Sequence, residues 1–172
     1  MAITFINEAG ILPVRNFRYG YHELAHNISR ELMAATILVS NDPCAYCPMG
    51  CGKYTRVEDE KYKGEGAGPE YETLAMLGAN LEMFNLKAVA KVNYMANELE
   101  LDTIELGGTI GLLFELYERG IIKDSELSDL EGLKPVWGNE DAVFRLIELI
   151  AYRKGIGNLL AEGHTDLQRN IT

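Results

Sequence analysis

Three cysteines fall within eight residues, in the stretch CAYCPMGCGKY at positions 44–54, and the chain has no others. Cys44, Cys47 and Cys51 follow a C-x-x-C-x-x-x-C spacing, too tight and too few for a disulfide framework. A turn carrying C-x-x-C brings its thiols within a few ångströms of one point, and Gly50 and Gly52 leave room for backbone amides to face sulfur. Thiolates suit zinc and iron–sulfur clusters. Zinc ordinarily adds a second C-x-x-C pair or histidines, whereas a four-iron, four-sulfur cluster takes four thiolates, three local and one remote. The spacing also differs from the radical-SAM order, in which the longer gap comes first. On the residues alone three readings stand: a cluster, zinc with a borrowed histidine, or ordinary reduced cysteines.

A second pattern competes for a metal. HELAH, from His22 to His26, matches H-E-x-x-H, in which two histidines one helical turn apart bind zinc and the glutamate (Glu23) acts as general base of a metallopeptidase. The following NISREL supplies neither the glycine-and-histidine continuation of metzincins nor a glutamate ligand on a following helix. Gly20 also sits where such a helix would already be established. The plainer reading is two solvent-facing histidines on a charged helix. His164, near the chain end, has no visible partner in the sequence.

The elements that must position these residues read as mainly helical. Gly10, Pro13 and Gly20, with short apolar runs between them, predict an irregular or partly extended start. From His22 to about Leu38, Leu24, Ile28 and Leu32 recur at helical spacing, and ATILV at the end could become a strand. Ser40 to Pro43 break that pattern. KYTRVEDEKYKGEGAGPE alternates weakly and then fills with glycine and charge, which predicts a short hairpin followed by a loop. From Glu70 onward the chain reads as almost entirely helical. Leu86, Val89, Val92, Ala96 and Leu99 form one buried stripe of a helix. Asp102, with Glu105 three residues later, predicts a capping box at the start of the next. Inside that helix, Gly107, Gly108 and Gly111 each cost about 1 kcal/mol of helix propensity, so close backbone packing should compensate. Ala142, Val143, Leu146, Ile147 and Ile150 mark a further amphipathic helix, opened by Asn139, Glu140 and Asp141 and ended by Gly155.

With 172 residues, 47% of them hydrophobic, the chain can bury a sizeable core as a single domain. It shows no N-terminal signal segment, and no apolar run approaches the roughly 18 residues of a membrane span. The expected compartment is the cytoplasm, where thiols stay reduced. A formal charge of -10 argues against a nucleic-acid partner, since phosphate contact needs Lys and Arg on the contact face.

CAYCPMGCGKY, then GPEYETLAMLGANLEMFNLKAVAKVNYMANELELDTIELGGTIGLLFELYERG, then GNEDAVFRLIELIAYRKGIGNLLAEG, with NEAGILPVRNFRYG ahead of the cysteines, resemble consecutive blocks of the aldehyde ferredoxin oxidoreductases. The resemblance implies a mainly α domain over residues 1–172, like the first helical domain of that family, with a short hairpin after the cysteines. It also implies that the chain is a fragment of a larger multidomain enzyme. Members carry tungsten, or sometimes molybdenum, on two pterin dithiolenes beside a 4Fe-4S cluster, and oxidise aldehydes to carboxylic acids with ferredoxin as electron acceptor. By this resemblance Cys44, Cys47 and Cys51 are the three local cluster ligands. In PEYET, Glu72 matches the family's acid near the metal better than Glu70 does. The alternative for Glu72 is an acidic residue favoured by the helix dipole.

The family's pterin pattern D-x-x-G-L-D falls on Asn97, Glu98, Leu99, Glu100, Leu101 and Asp102. Asn97 replaces its first Asp and Glu100 its Gly, so only Leu101 and Asp102 match, and a carboxylate adds bulk and charge where a pterin should approach. The fourth cysteine and the N-terminal β-rich domain of the family lie outside this segment, so the isolated chain is expected to be inactive and to complete no cofactor site by itself. The implied partners are the parent enzyme's remaining domains and ferredoxin, with no membrane, and homo-oligomerisation is left open. The competing readings are a zinc metallopeptidase on HELAH and a non-catalytic helical interaction module using LGGTIG as a close-packing surface.

Overall fold

The computed structural model describes residues 2–163, so His164 lies outside the described residues. They form a mainly α-helical fold with one small antiparallel sheet. The start is irregular only from residue 9: helix α1 (Ala2–Glu8) precedes it, buries Ile3 and is closed off by Gly10, whose φ is +74°. The Asn7 side chain pairs with the His22 backbone, donating to its carbonyl at 3.1 Å and accepting from its amide at 2.8 Å, which fixes α1 across the intervening chain. Those residues make a tight turn closed by the Val14–Tyr19 bridge, in which Arg15, Asn16 and Phe17 all take left-handed φ angles. Arg15 pairs with Glu82 at 2.8 Å, Arg18 with Glu118 at 2.6 Å, and Asn16 donates to Glu115 at 2.6 Å, so three long-range contacts hold the strained tip.

The stretch predicted as one helix from His22 is divided. A 3-10 helix, Glu23–Ile28, gives way at Ser29, whose hydroxyl accepts from the Leu32 amide and caps helix α2 (Arg30–Thr36). Part of ATILV then becomes strand β1 (Leu38–Asn41). Strands β2 (Lys53–Val57) and β3 (Gly64–Ala67) complete a sheet in the order β1-β2-β3. The glycine-rich segment read as a loop is therefore the third strand. A Cβ at Gly64 would stand 2.6 Å from the Tyr94 ring, so glycine is there to let that ring lie against the backbone.

Short helix α3 (Tyr71–Thr73) runs on into a π-helical turn, Leu74–Gly78, and a 3-10 turn, Ala79–Leu81. Helices α4 (Leu86–Glu98), α5 (Thr103–Glu118), α6 (Glu140–Ala151) and α7 (Ile156–Leu160) follow. In α4, Leu86, Val89, Val92 and Ala96 are buried as the stripe requires. The glycines of α5 act as expected at two of three positions: a Cβ on Gly107 would meet the Met76 carbonyl oxygen at 2.5 Å and one on Gly111 the Asn80 amide nitrogen at 2.8 Å, whereas Gly108 has its nearest such neighbour at 4.0 Å. LGGTIG is thus packed inside the chain, against residues 74–81, rather than offered to a partner. Phe114 meets Trp137 edge-on, and Leu113, Leu146 and Ile147 are fully buried beside them.

Helices α1, α4, α5 and α6 end alike, α1 with the amides of Ile11 and Gly10 donating to Ile6 and Asn7. At the end of α5 the amide of Ile121 donates to Leu116 at 3.0 Å and that of Gly120 to Tyr117 at 2.9 Å, with Gly120 left-handed, which is a Schellman motif. Leu101 to Ala96 and Glu100 to Asn97 repeat it for α4, and Lys154 to Leu149 and Arg153 to Ile150 for α6. The left-handed residue there is Glu100 or Arg153, with φ of 55° and 51°. Arg153, not Gly155, therefore terminates α6, and Gly155 opens α7.

These contacts set three expectations. Gly107→Ala should destabilise by about 1–3 kcal/mol, because the carbonyl it strikes belongs to packed backbone, while Gly108→Ala should gain up to about 1 kcal/mol of helix propensity; chemical denaturation of the two variants should shift in opposite directions. Glu100→Gly should stabilise by about 0.5–1 kcal/mol, the left-handed cost of a side chain less the entropy of glycine. The third concerns acid. The Asn16 hydrogen bond lowers the Glu115 pKa and the Arg18 hydrogen bond lowers that of Glu118. Their stabilisation is complete above the ordinary carboxylate range and is lost as pH falls through the depressed folded values. Acidification should release the turn at residues 14–19, read as a change in the emission of Trp137, the only tryptophan, over which Arg15 lies at 6.0 Å.

Candidate functional site

The cysteines sit on the loop at residues 42–52 that joins β1 to β2, an antiparallel pair, so both loop ends are fixed by the sheet. Its neck is closed by the Asp42 amide donating to the Gly52 carbonyl at 2.9 Å. Gly52 serves that closure, since a Cβ there would fall 2.2 Å from the Asp42 oxygen, and Gly50 turns the chain at φ +53°. The Cys47 amide donates to the Cys44 carbonyl at 3.0 Å, making the C-x-x-C a hydrogen-bonded turn. All three thiols are free; Cys44 and Cys51 are exposed and Cys47 half-buried.

Lys53, a residue that motif reasoning passed over, turns its ammonium back under this loop. Its Nζ donates to the carbonyls of Cys51 at 2.6 Å, Gly50 at 3.2 Å and Gly52 at 3.3 Å. The signal was available in the sequence: alternation along KYTRV puts Lys53 on the same face as Thr55 and Val57, both buried.

Helix α3 connects the cysteine loop to the turn at residues 97–102. At one end Glu70 shares a small cavity of about 110 Å³ with Cys51, Lys53 and Arg30. At the other, Thr73 Oγ1 and Thr103 Oγ1 are hydrogen-bonded at 3.0 Å, so α3 lies beside the first turn of α5. Glu72 is exposed between these contacts. It is Glu70, the weaker match by sequence, that reaches the cavity with Cys51.

Asp102 caps α5, its Oδ1 accepting from the amides of Ile104 at 2.9 Å and Glu105 at 2.8 Å, and the Glu105 carboxylate accepts from Thr109 at 3.3 Å. Leu101 and Asp102 also line a groove of about 470 Å³ with Thr109, Ile150 and Arg153. Asn97 is exposed on the last turn of α4. Glu100 has an exposed side chain and a left-handed backbone, so the chain follows here the course that a glycine would take.

The histidines do not form a zincin pair. His22 precedes the 3-10 helix in extended conformation, accepts from the Leu24 amide at 3.2 Å through Nδ1, and stacks on Phe84 with centroids 4.1 Å apart. His26 Nδ1 is hydrogen-bonded to the Glu23 carbonyl at 3.0 Å. Residues four apart share a face only in an α-helix; with three residues per 3-10 turn they diverge by about 120°.

Three thiols on one loop are donors of the type that iron–sulfur centres and zinc take, and they number three of the four thiolates a 4Fe-4S cluster ordinarily uses. Among the described residues no three His, Cys, Asp or Glu side chains are already drawn together tightly enough to hold a metal ion, and no helix is long and apolar enough to cross a membrane.

The family model for aldehyde ferredoxin oxidoreductase, domains 2 and 3, matches residues 1–172. A tungsten-containing aldehyde ferredoxin oxidoreductase of Pyrococcus furiosus is 47% identical over 161 residues, 94% of this chain and 26% of the relative, and one of Thermococcus kodakarensis is 43% identical over the same shares. The WOR-like subunit of an aliphatic sulfonate oxidoreductase of Pyrococcus furiosus is 35% identical, over 88% of this chain and 24% of its own length. Among solved structures, the active-site complex BamBC of benzoyl coenzyme A reductase, bound to 1,5-dienoyl-CoA, superposes with a TM-score of 0.74 at 25% identity, covering 95% of this chain and 24% of that one. The chain spans about a quarter of the length of the curated relatives it matches. With a family model matched from end to end, this chain belongs to the aldehyde ferredoxin oxidoreductase family.

Proposed function

We propose that this chain is the segment of a tungsten- or molybdenum-pterin oxidoreductase that supplies three cysteine ligands of a 4Fe-4S cluster and part of the pterin seat. The reaction of the whole enzyme would be oxidation of an aldehyde to a carboxylic acid, with ferredoxin accepting the electrons. The observation that carries this reading is the cysteine loop: three free thiols on one surface loop, pinned at its neck and anchored from beneath by Lys53. The names of the relatives support tungsten, and the loop's donor set supports iron and sulfide.

When bound, the cluster would supply single-electron transfer. The work of this chain's own residues follows from their positions. Cys44, Cys47 and Cys51 must converge from a loop that holds them at the surface, so ligation and loop ordering are coupled. Leu101 and Asp102 would form one wall of the pterin seat, Asp102 keeping its cap through Oδ1. Asn97, one α-helical turn before Leu101, would stand at the rim with an amide in place of a carboxylate, offering both a donor and an acceptor. Glu72, exposed on the first turn of α3, would hold or release a proton beside the reacting carbonyl.

Anaerobic reconstitution with iron, sulfide and a small external thiol standing in for the missing fourth ligand should give a brown protein with iron approaching four per chain, and Cys44→Ser, Cys47→Ser or Cys51→Ser should each lower that content severalfold. Viologen-linked aldehyde oxidation should be absent from the chain alone. A colourless product whose iron content ignores all three substitutions would remove the reading.

A further inference from the structure

We infer that Lys53 is a positioning residue for the cluster: its buried ammonium ties down the loop bearing Cys51 and provides the positive charge against which an anionic cluster is held. This rests on the reading of Cys44, Cys47 and Cys51 as cluster ligands. Lysine is among the residues least often found buried, yet Lys53 is only 9% exposed, on the inward face of β2 with Thr55 and Val57. Its three N–H donors meet three consecutive carbonyl oxygens, those of Gly50, Cys51 and Gly52. Among the described residues no carboxylate pairs with it. Carbonyl dipoles offset part of the cost of burying that charge, and an opposing charge close by would offset the rest.

A cluster on thiolates is net negative and would lie against the same loop. Its reduced form carries one electron more than its oxidised form, so a fixed cation close to it favours reduction. The carbonyls also set the amides. In a trans peptide the C=O and N–H point opposite ways, so with the Gly50 and Cys51 carbonyls turned to the ammonium, the amides of Cys51 and Gly52 face the other side of the loop, free to donate to sulfur. Such hydrogen bonds raise cluster potentials in the same direction. Lys53 and Cys51 line one cavity with Arg30 and Glu70, which places a second cation and one carboxylate at the same point.

The test uses the whole chain as wild type, Lys53→Met and Lys53→Arg. Before iron is added, amides at 44–52 in Lys53→Met should exchange with deuterium on the order of tenfold faster, while those of α4 and α5 keep their wild-type rates and report an intact fold. After anaerobic reconstitution with iron and sulfide, a redox titration followed by electron paramagnetic resonance should place the Lys53→Met cluster at a lower potential than wild type. Lys53→Arg, which keeps the charge but not the three-point geometry, should show faster loop exchange with a potential near wild type; it also serves if Lys53→Met fails to fold. Unchanged loop exchange and unchanged potential in a folded variant overturn the role of Lys53. Failure of the wild type to take up iron overturns the cluster reading itself, and the exchange rates of the iron-free chain then still decide whether Lys53 ties the loop.

Discussion

The 2.7 Å hydrogen bond between Tyr94 Oη and Thr55 Oγ1, buried between α4 and β2, joins the two parts on which the candidate site depends. Burial raises the Tyr94 pKa, an effect that the bond to Thr55 partly opposes. Losing Thr55 would leave the Tyr94 hydroxyl unpaired at a cost of about 1–3 kcal/mol, whereas Thr55 Oγ1 also donates to the Gly66 carbonyl at 3.5 Å. Asn93, one residue earlier, donates to the Ala67 carbonyl at 2.7 Å, so α4 grips β2 through Thr55 and β3 through its backbone. The sheet so held carries the cysteine loop between β1 and β2. The helix that holds it ends in the turn bearing Glu100, Leu101 and Asp102. These contacts from one helix therefore fix the cysteine loop relative to the other residues matched to a cofactor, and α3 spans what remains through Glu70 and Thr73.

Two ways of shaping backbone recur around this contact. Where two segments must touch, the chain removes the side chain: Gly64 under Tyr94, Gly107 against Met76 and Gly111 against Asn80. Where the chain must turn left-handed, it often keeps one: Arg15, Asn16 and Phe17 in the first turn, Glu100 and Arg153 after helices. The difference lies in the available space. A Cβ facing packed backbone has no room, whereas a left-handed residue at the surface meets only a local penalty that its side chain can offset, as Arg15 does with Glu82 and Arg153 with Glu162. Charge is distributed in the same manner. Lys61 pairs with Asp141 at 2.9 Å and the Tyr62 hydroxyl donates to Glu140 at 2.6 Å, fixing the β2–β3 turn to the start of α6 with residues whose helix-dipole role is local.

The sequence by itself determined whatever depends on neighbours along the chain. Asn139 and Asp102 cap helices because a side-chain oxygen reaches amides two or three residues on, and the stripe of α4 is buried because its spacing matches the helical period. The three cysteines were legible as neighbours on one loop for the same reason, and the family was legible in the order of four blocks. Tertiary structure decided the rest. HELAH has the spacing of a zinc motif, but Ser29 and the stacking of His22 on Phe84 impose 3-10 winding that separates its histidines. GEGAG has the composition of a loop and becomes a strand because Tyr94, some thirty residues away, needs a surface without side chains. α1 forms ahead of the irregular segment that Gly10, Pro13 and Gly20 announce, held by the contact of Asn7 with the His22 backbone. Lys53 reads as a solvated charge until the sheet turns it inward, beneath the carbonyls of the loop it follows. The first three of these outcomes rest on contacts between residues distant in sequence, which neither local spacing nor composition encodes; the contacts of Lys53 are local, and its inward face was already written in the alternation of KYTRV.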